Sequence, residues 1–125
     1  MIYLLKSELI SQHSEIILET GGLPGIKDSF RLGSIIERPK NDYLFGDIFL
    51  KASSYAEAIT QWHPFNDGNK RVGFSAAVTF LEYNGYRFQI NDNIVSTVLK
   101  LTTKQISLEE FSDWLKANSK LIIKL

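Results

Sequence analysis

The chain has 125 residues, 44% of them apolar and 22% charged, with fourteen basic side chains against fourteen acidic ones and no cysteine. Such a chain can bury one compact core, and its composition excludes a disordered or fibrous protein, disulfides, thiolate metal sites and a cysteine nucleophile. Balanced charge also excludes the broad basic surface that grips nucleic acid unaided, so direct nucleic acid binding is not expected and any anion must be held locally.

The start, Met1 to Lys6, has no basic region leading into a long apolar stretch and no small-residue cleavage site. No apolar run approaches the roughly 20 residues of a membrane span. A cytoplasmic protein without membrane contact is the expectation, and the missing cysteines are compatible with it. Ser7, followed by Glu8, reads as the N-cap of a first helix with Leu9, His13, Ile16, Ile17 and Thr20 on one face; Gly21-Gly22 stops it. Leu23-Pro24-Gly25 suits a turn. Asp28 or Ser29 can cap a short helix through Arg31, Leu32, Ile35 and Ile36, which Pro39 should terminate.

From about Asp47 to Trp62 the positions Ile48, Ala52, Tyr55, Ala56 and Ile59 recur at helical spacing, with Pro64 just beyond the end. Val72, Phe74, Ala76, Ala77, Phe80, Leu81 and Tyr83 are apolar over more than one face, which predicts a helix buried on most sides, the central one, closed by Asn84-Gly85. Asn91 or Asp92 can start a helix through Val95, Val98, Leu99 and Leu101, and Ser107 with Glu110 forms a capping box for Phe111, Trp114 and Leu115. Tyr86 to Ile90 is a possible short strand, and the Leu121-Ile122-Ile123 tail is ambiguous between strand and helix end. Five to six helices without two convincing strands predict an all-α fold, a single domain over residues 1–125 with no internal linker.

The nonapeptide His63-Pro64-Phe65-Asn66-Asp67-Gly68-Asn69-Lys70-Arg71 reads as a loop between the helix ending near Trp62 and the central helix. His63 is the candidate base of this loop: a hydroxyl is a poor nucleophile until a group that titrates near neutrality accepts its proton. Asp67 offers a hard oxygen ligand, and Mg2+ is commonly held by one or two carboxylates plus substrate phosphates. Gly68, Asn69, Lys70 and Arg71 enter the next helix, where first-turn amides favour an anion and glycine permits its close approach. Lys70 and Arg71 place two cations where the helix dipole opposes them, a conflict that a bound polyphosphate would resolve. Pro64 and Phe65 read as structural, fixing the loop and anchoring it in the core. Taken singly, His63 can equally be a helix-flanking polar residue, Asp67 an N-cap and Gly68 a plain turn.

Together, HPFNDGNKR resembles the signature of the Fic/Doc (Fido) superfamily, His-x-Phe-x-Asp/Asn-Gly/Ala-Asn-Gly/Lys-Arg, at every diagnostic position. The resemblance is to the death-on-curing branch in particular: Lys70 stands where adenylylating members usually have glycine, and Gly21 to Gly25, His13 and the Arg31 to Ile36 segment also look similar. It implies a compact helical bundle of about six helices. It further implies His63 as catalytic base, Asp67 as magnesium ligand, Gly68 and Asn69 in an anion hole, and Lys70 and Arg71 on nucleotide phosphates. The activity it implies is that of a toxin that passes the γ-phosphate of ATP to a hydroxyl of a translation component, elongation factor Tu, and is restrained by an antitoxin.

Two positions depart from the branch. Gln61 replaces a basic residue two positions before the histidine in its best-known member, and Ser75 replaces a larger amide. The self-inhibitory pattern Ser/Thr-x-x-x-Glu-Gly/Asn is incomplete, since Ser11 to Glu15 and Ser53 to Glu57 are followed by Ile16 and Ala58, which favours an antitoxin in trans. Adenylylation of a protein hydroxyl is the alternative chemistry, and a catalytically degenerate core that docks partners is the alternative of another class. A metal-dependent hydrolase is disfavoured, because His13 and His63 are distant in sequence and no second carboxylate motif joins them.

Overall fold

The computed structural model describes residues 1–122. Six α-helices run in the order α1 (Lys6–Thr20), α2 (Ser29–Glu37), α3 (Ile48–Trp62), α4 (Asn69–Tyr83), α5 (Ile94–Thr102) and α6 (Leu108–Ala117), with a 3₁₀ turn at Arg38–Lys40. The helical expectation holds, and a small sheet joins it. Strands β1 (Tyr86–Phe88) and β2 (Ser119–Leu121) pair antiparallel, with Arg87 opposite Lys120. Tyr86 to Phe88 is thus the short strand that looked possible, and Leu121 of the ambiguous tail is its partner's last residue; Ile123 lies outside the described residues. Three residues per strand are too few to show alternation in sequence, and helices α5 and α6 lie between the two strands in the chain.

Caps fix most helix limits. Asp28 Oδ1 accepts from Arg31 N at 2.9 Å, Asp47 Oδ1 from Phe49 N and Leu50 N at 2.8 and 2.9 Å, and Ser107 with Glu110 closes a reciprocal capping box. Two limits differ from expectation. Helix α1 begins at Lys6, because Glu8 reaches back to the Leu5 amide and Ser7 lies inside the first turn. Helix α5 begins at Ile94, since the Asn91 side chain bonds the Asn93 amide and defers the start. Pro39 ends the α-helical hydrogen bonding of α2 but is accommodated in the 3₁₀ turn that continues it.

Helix α4 packs against α1, α3, α5 and β1, as the central helix should, and its neighbour α3 is more buried still. Ten of its fifteen residues are buried, against seven of fifteen in α4. Ala52, Ser53, Ser54, Ala56 and Ala58 are small enough for neighbours to close on α3 from every side, whereas a reading by apolar periodicity favours the bulkier α4. Helix α4 meets α3 through Gly73, where a Cβ would lie 2.7 Å from Thr60 Cγ2 and 3.3 Å from Ala56 O. On its other faces α4 joins Phe74, Phe88, Trp114 and Phe111 in a chain of ring contacts that binds β1 and α6 to the bundle. Loop 63–68 therefore connects two helices that are locked together at close range. Its ends cannot drift.

Candidate active site

His63 terminates α3 in the left-handed conformation, φ 51° and ψ 62°. A residue with a Cβ meets its own carbonyl there, at a cost of roughly 1–2 kcal/mol, so the surroundings must hold it. They do so through residues 20–31, remote in sequence. Pro64 O accepts from Lys27 N at 2.8 Å and Asp28 N at 3.0 Å, Asn66 N donates to Gly25 O at 3.1 Å, and Ile26 and Phe65 form an antiparallel bridge. Arg31 Nη1 donates to Trp62 O at 2.8 Å. The turn that reads as punctuation is a clasp laid along the loop.

Below the loop, Phe65 is 1% exposed and stacks on His13, ring centroids 3.9 Å apart and planes 5° from parallel. His13 is itself buried, and its Nε2 lies 2.9 Å from Asp67 O; the partner is a carbonyl, so this nitrogen carries the proton and donates. Pro64 is buried as well. The Asn69 side chain is engaged within the loop. It accepts from Phe65 N at 3.1 Å and donates to Phe65 O at 3.0 Å, both bonds buried, so it clamps the loop and leaves the residue's own backbone amide for a ligand.

Asp67 is half-exposed at the loop's outer edge. Leu23 N donates to Oδ2 at 3.1 Å and Gly68 N to Oδ1 at 2.8 Å; these amides, with the Arg71 guanidinium 3.8 Å away, hold its carboxyl below the usual carboxylate pKa. It is charged at neutral pH, and each oxygen keeps lone pairs for a further partner. A hard divalent cation that takes the rest of its ligands from water and phosphate fits that arrangement. Among the described residues no cluster of three His, Cys, Asp or Glu side chains offers a complete protein cage.

Helix α4 starts after Gly68 with no side-chain cap, and the first backbone bond back into it runs from Val72 N to Gly68 O at 2.9 Å. The amides of Asn69, Lys70 and Arg71 precede that bond. The three residues that carry them line a cavity of about 250 Å³ together with His63, Asn66, Asp67 and Gly68. The structure therefore brings every residue of the sequence-derived site except Pro64 and Phe65 to one polar hollow. A larger hollow of about 430 Å³ adjoins it, sharing Lys70 and Arg71 and otherwise lined by Phe74, Ile94, Val95, Val98 and Leu99.

The conflict between two cations and the helix dipole is half resolved within the protein. Arg71 bends away from its own helix to the C-terminal end of α1, donating to Gly21 O at 2.9 Å and to Thr20 Oγ1, where a cation is favourable. Lys70 is exposed and makes no ion pair among the described residues. The two departures also have partners: Gln61 Nε2 donates to Leu101 O at 2.9 Å, tying α3 to α5, and Ser75 Oγ accepts from Gln12 Nε2 at 2.7 Å. Of the incomplete inhibitory motifs, Glu57 is paired with Arg38 at 2.6 Å.

The profile of the Fic/DOC family matches residues 3–81, which span α1, the loop 63–68 and most of α4. The chain is also 31% identical over 119 residues to "Protein kinase doc" of Escherichia phage P1, covering 93% of this chain and 94% of that one. The chain belongs to the Fic/DOC family. Its similarity to the phage protein runs nearly end to end, which places it with the death-on-curing toxins of that family. Membership accounts for what sequence reasoning missed around the loop. His13, Asp28 and Arg31 lie inside the family match, and His13 and Arg31 resemble the branch in sequence, but nothing in the spacing of the three ties them to a loop thirty or more residues away.

Proposed function

We propose that the chain, acting as one Fic/Doc domain over residues 1–125, is the toxin of a toxin–antitoxin pair. It transfers the γ-phosphate of ATP to a Ser or Thr hydroxyl of a protein in translation, elongation factor Tu by resemblance. The observation that carries this reading is the polar hollow lined by His63, a charged Asp67, the first-turn residues of α4 and Lys70, which has no ion pair among the described residues. The phage relative named a protein kinase supports the phosphoryl-transfer branch, and the incomplete inhibitory motifs support restraint by a separate antitoxin.

In this reading the α4 amides, Lys70 and Arg71 bind the polyphosphate. Asp67 would hold Mg2+, which neutralises charge on the phosphate oxygens. His63 accepts the proton of the incoming hydroxyl as the oxygen bonds to phosphorus; the bond to the β-phosphate oxygen breaks, and ADP leaves carrying that electron pair. Adenylylation needs the same base and anion site and differs in which phosphate lies beside His63. The apolar hollow next to Lys70 and Arg71 suits a nucleobase, so the direction in which the triphosphate runs from it decides the product.

The test is incubation of the purified chain with a bacterial lysate and ATP labelled at the α or the γ position. Protein-bound label from γ alone, lost in His63→Ala, is expected. Label from α alone overturns the kinase reading, and growth arrest that persists in cells expressing His63→Ala points to a docking module.

A further inference from the structure

Two non-glycine residues among the described ones have positive φ, Lys104 in the turn after α5 and His63. A residue before proline prefers the extended region, so two influences, the Cβ and Pro64, act against the conformation that His63 adopts. Yet this conformation puts its imidazole on the wall of the polar hollow. The carbonyls on either side of His63 are both held by one short segment: Pro64 O by the amides of Lys27 and Asp28, and Trp62 O by the Arg31 guanidinium. Trp62 O is the last carbonyl of α3 and has no acceptor role inside a helix that stops there, so the cation also meets the negative end of that helix. Asp28 Oδ2 lies 3.3 Å from Arg31 Nε and orients the guanidinium.

We infer that Arg31 is a positioning residue for the catalytic base: by gripping Trp62 O it keeps the peptide entering His63 turned so that the imidazole faces the bound phosphate. Arg31 lines neither hollow. Its side chain is 56% exposed, and an exposed pair such as Asp28–Arg31 adds little to stability. The α2 cap uses the backbone amide of residue 31, which any substitution but proline retains. Removing the guanidinium therefore leaves the fold and the nucleotide contacts in place and frees the one peptide on which the aim of His63 depends. The catalytic part of the inference rests on the phosphoryl-transfer reading; the conformational part does not.

The experiment compares wild type, Arg31→Ala and Arg31→Lys by label transfer from ATP, by calorimetric ATP binding, and by the 13Cα and 13Cβ shifts of His63, which report its φ and ψ. In Arg31→Ala we expect kcat to fall about 10- to 100-fold, as for a reacting group displaced by about an ångström, with ATP affinity within about twofold of wild type. The His63 shifts should move from left-handed toward extended values, and Arg31→Lys, which can still donate to Trp62 O, should restore most of both. Unchanged His63 shifts in Arg31→Ala overturn the inference whatever the rate does. So does a weakened ATP affinity at constant kcat, the mark of a nucleotide contact. If wild type transfers neither label, the functional reading fails, and the His63 shifts alone still decide whether Arg31 sets the conformation of the loop.

Discussion

Replacing Asn69 by alanine separates a residue that binds phosphate through its side chain from one that builds the loop. Its amide group makes two buried hydrogen bonds to the main chain of Phe65, accepting at 3.1 Å and donating at 3.0 Å. Alanine removes both and strands a buried N–H and a buried C=O, each costing about 1–3 kcal/mol. Some relaxation or water entry offsets part of this, so the expected loss is about 2–4 kcal/mol, a large fraction of the roughly 5–15 kcal/mol that stabilises a domain. With a urea m-value near 1–3 kcal/mol/M, the unfolding midpoint should fall by about 1–2 M. Asn69→Asp sharpens the test. It keeps an acceptor for Phe65 N but sets a carboxylate oxygen against Phe65 O, and protonation restores a donor there. The folded state then binds the proton more tightly than the unfolded chain, so the aspartate pKa is raised and the variant regains stability as pH falls toward 4. Equilibrium urea unfolding at pH 7 and pH 4.5 measures both effects. A midpoint unchanged in Asn69→Ala, alongside weakened ATP binding, would refute the clamp and return the side chain to the phosphate.

Two further substitutions probe the same loop. His63→Gly should lose transfer activity by at least the 10²–10⁴-fold typical of a general base, yet unfold at a higher urea concentration, because glycine adopts φ 51° without the Cβ penalty; a lower midpoint would contradict the strain assigned to this position. Gly22→Ala should disturb Asp67, since a Cβ there would lie 2.7 Å from Oδ2 and φ is +119°. Wild-type Asp67 is held below its ordinary pKa by the Leu23 and Gly68 amides, so its stabilising contribution is present above the unfolded value near 3.9 and disappears as pH falls through the depressed native value. Carboxyl 13C titration should show Asp67 ionising below 3.9 in wild type and closer to it in Gly22→Ala; identical curves would dissociate the turn from the carboxylate.

The legible parts of this protein were those written within a few residues. Caps at Asp28 and Ser107 and the stop at Gly21 are local, and the structure places them where their chemistry predicts. The rank order of burial was not legible, because apolar periodicity credits bulk while α3 is buried through small residues that let neighbours approach. The role of Asn69 was not legible either: an amide at a helix start is equally suited to an anion and to a backbone, and the neighbouring Phe65 main chain decides. His13 and Arg31 look similar to the branch, but their spacing carries no mark of their part in the loop, since bonds over 54 and 31 residues depend on the packing of α1 and α2.

Arg71 has a consequence for how strongly the hollow can attract an anion. Its guanidinium already neutralises the carbonyl end of α1 through Gly21 O and Thr20 Oγ1. A phosphate that recruits it gains one set of contacts in exchange for another, so this residue contributes to the net affinity only the difference between them. Lys70 has no such prior engagement among the described residues and gives its full attraction. Two adjacent basic residues at one helix start are thus unequal electrostatically: one is a free charge, and the other is a charge on loan from the helix end that closes the site.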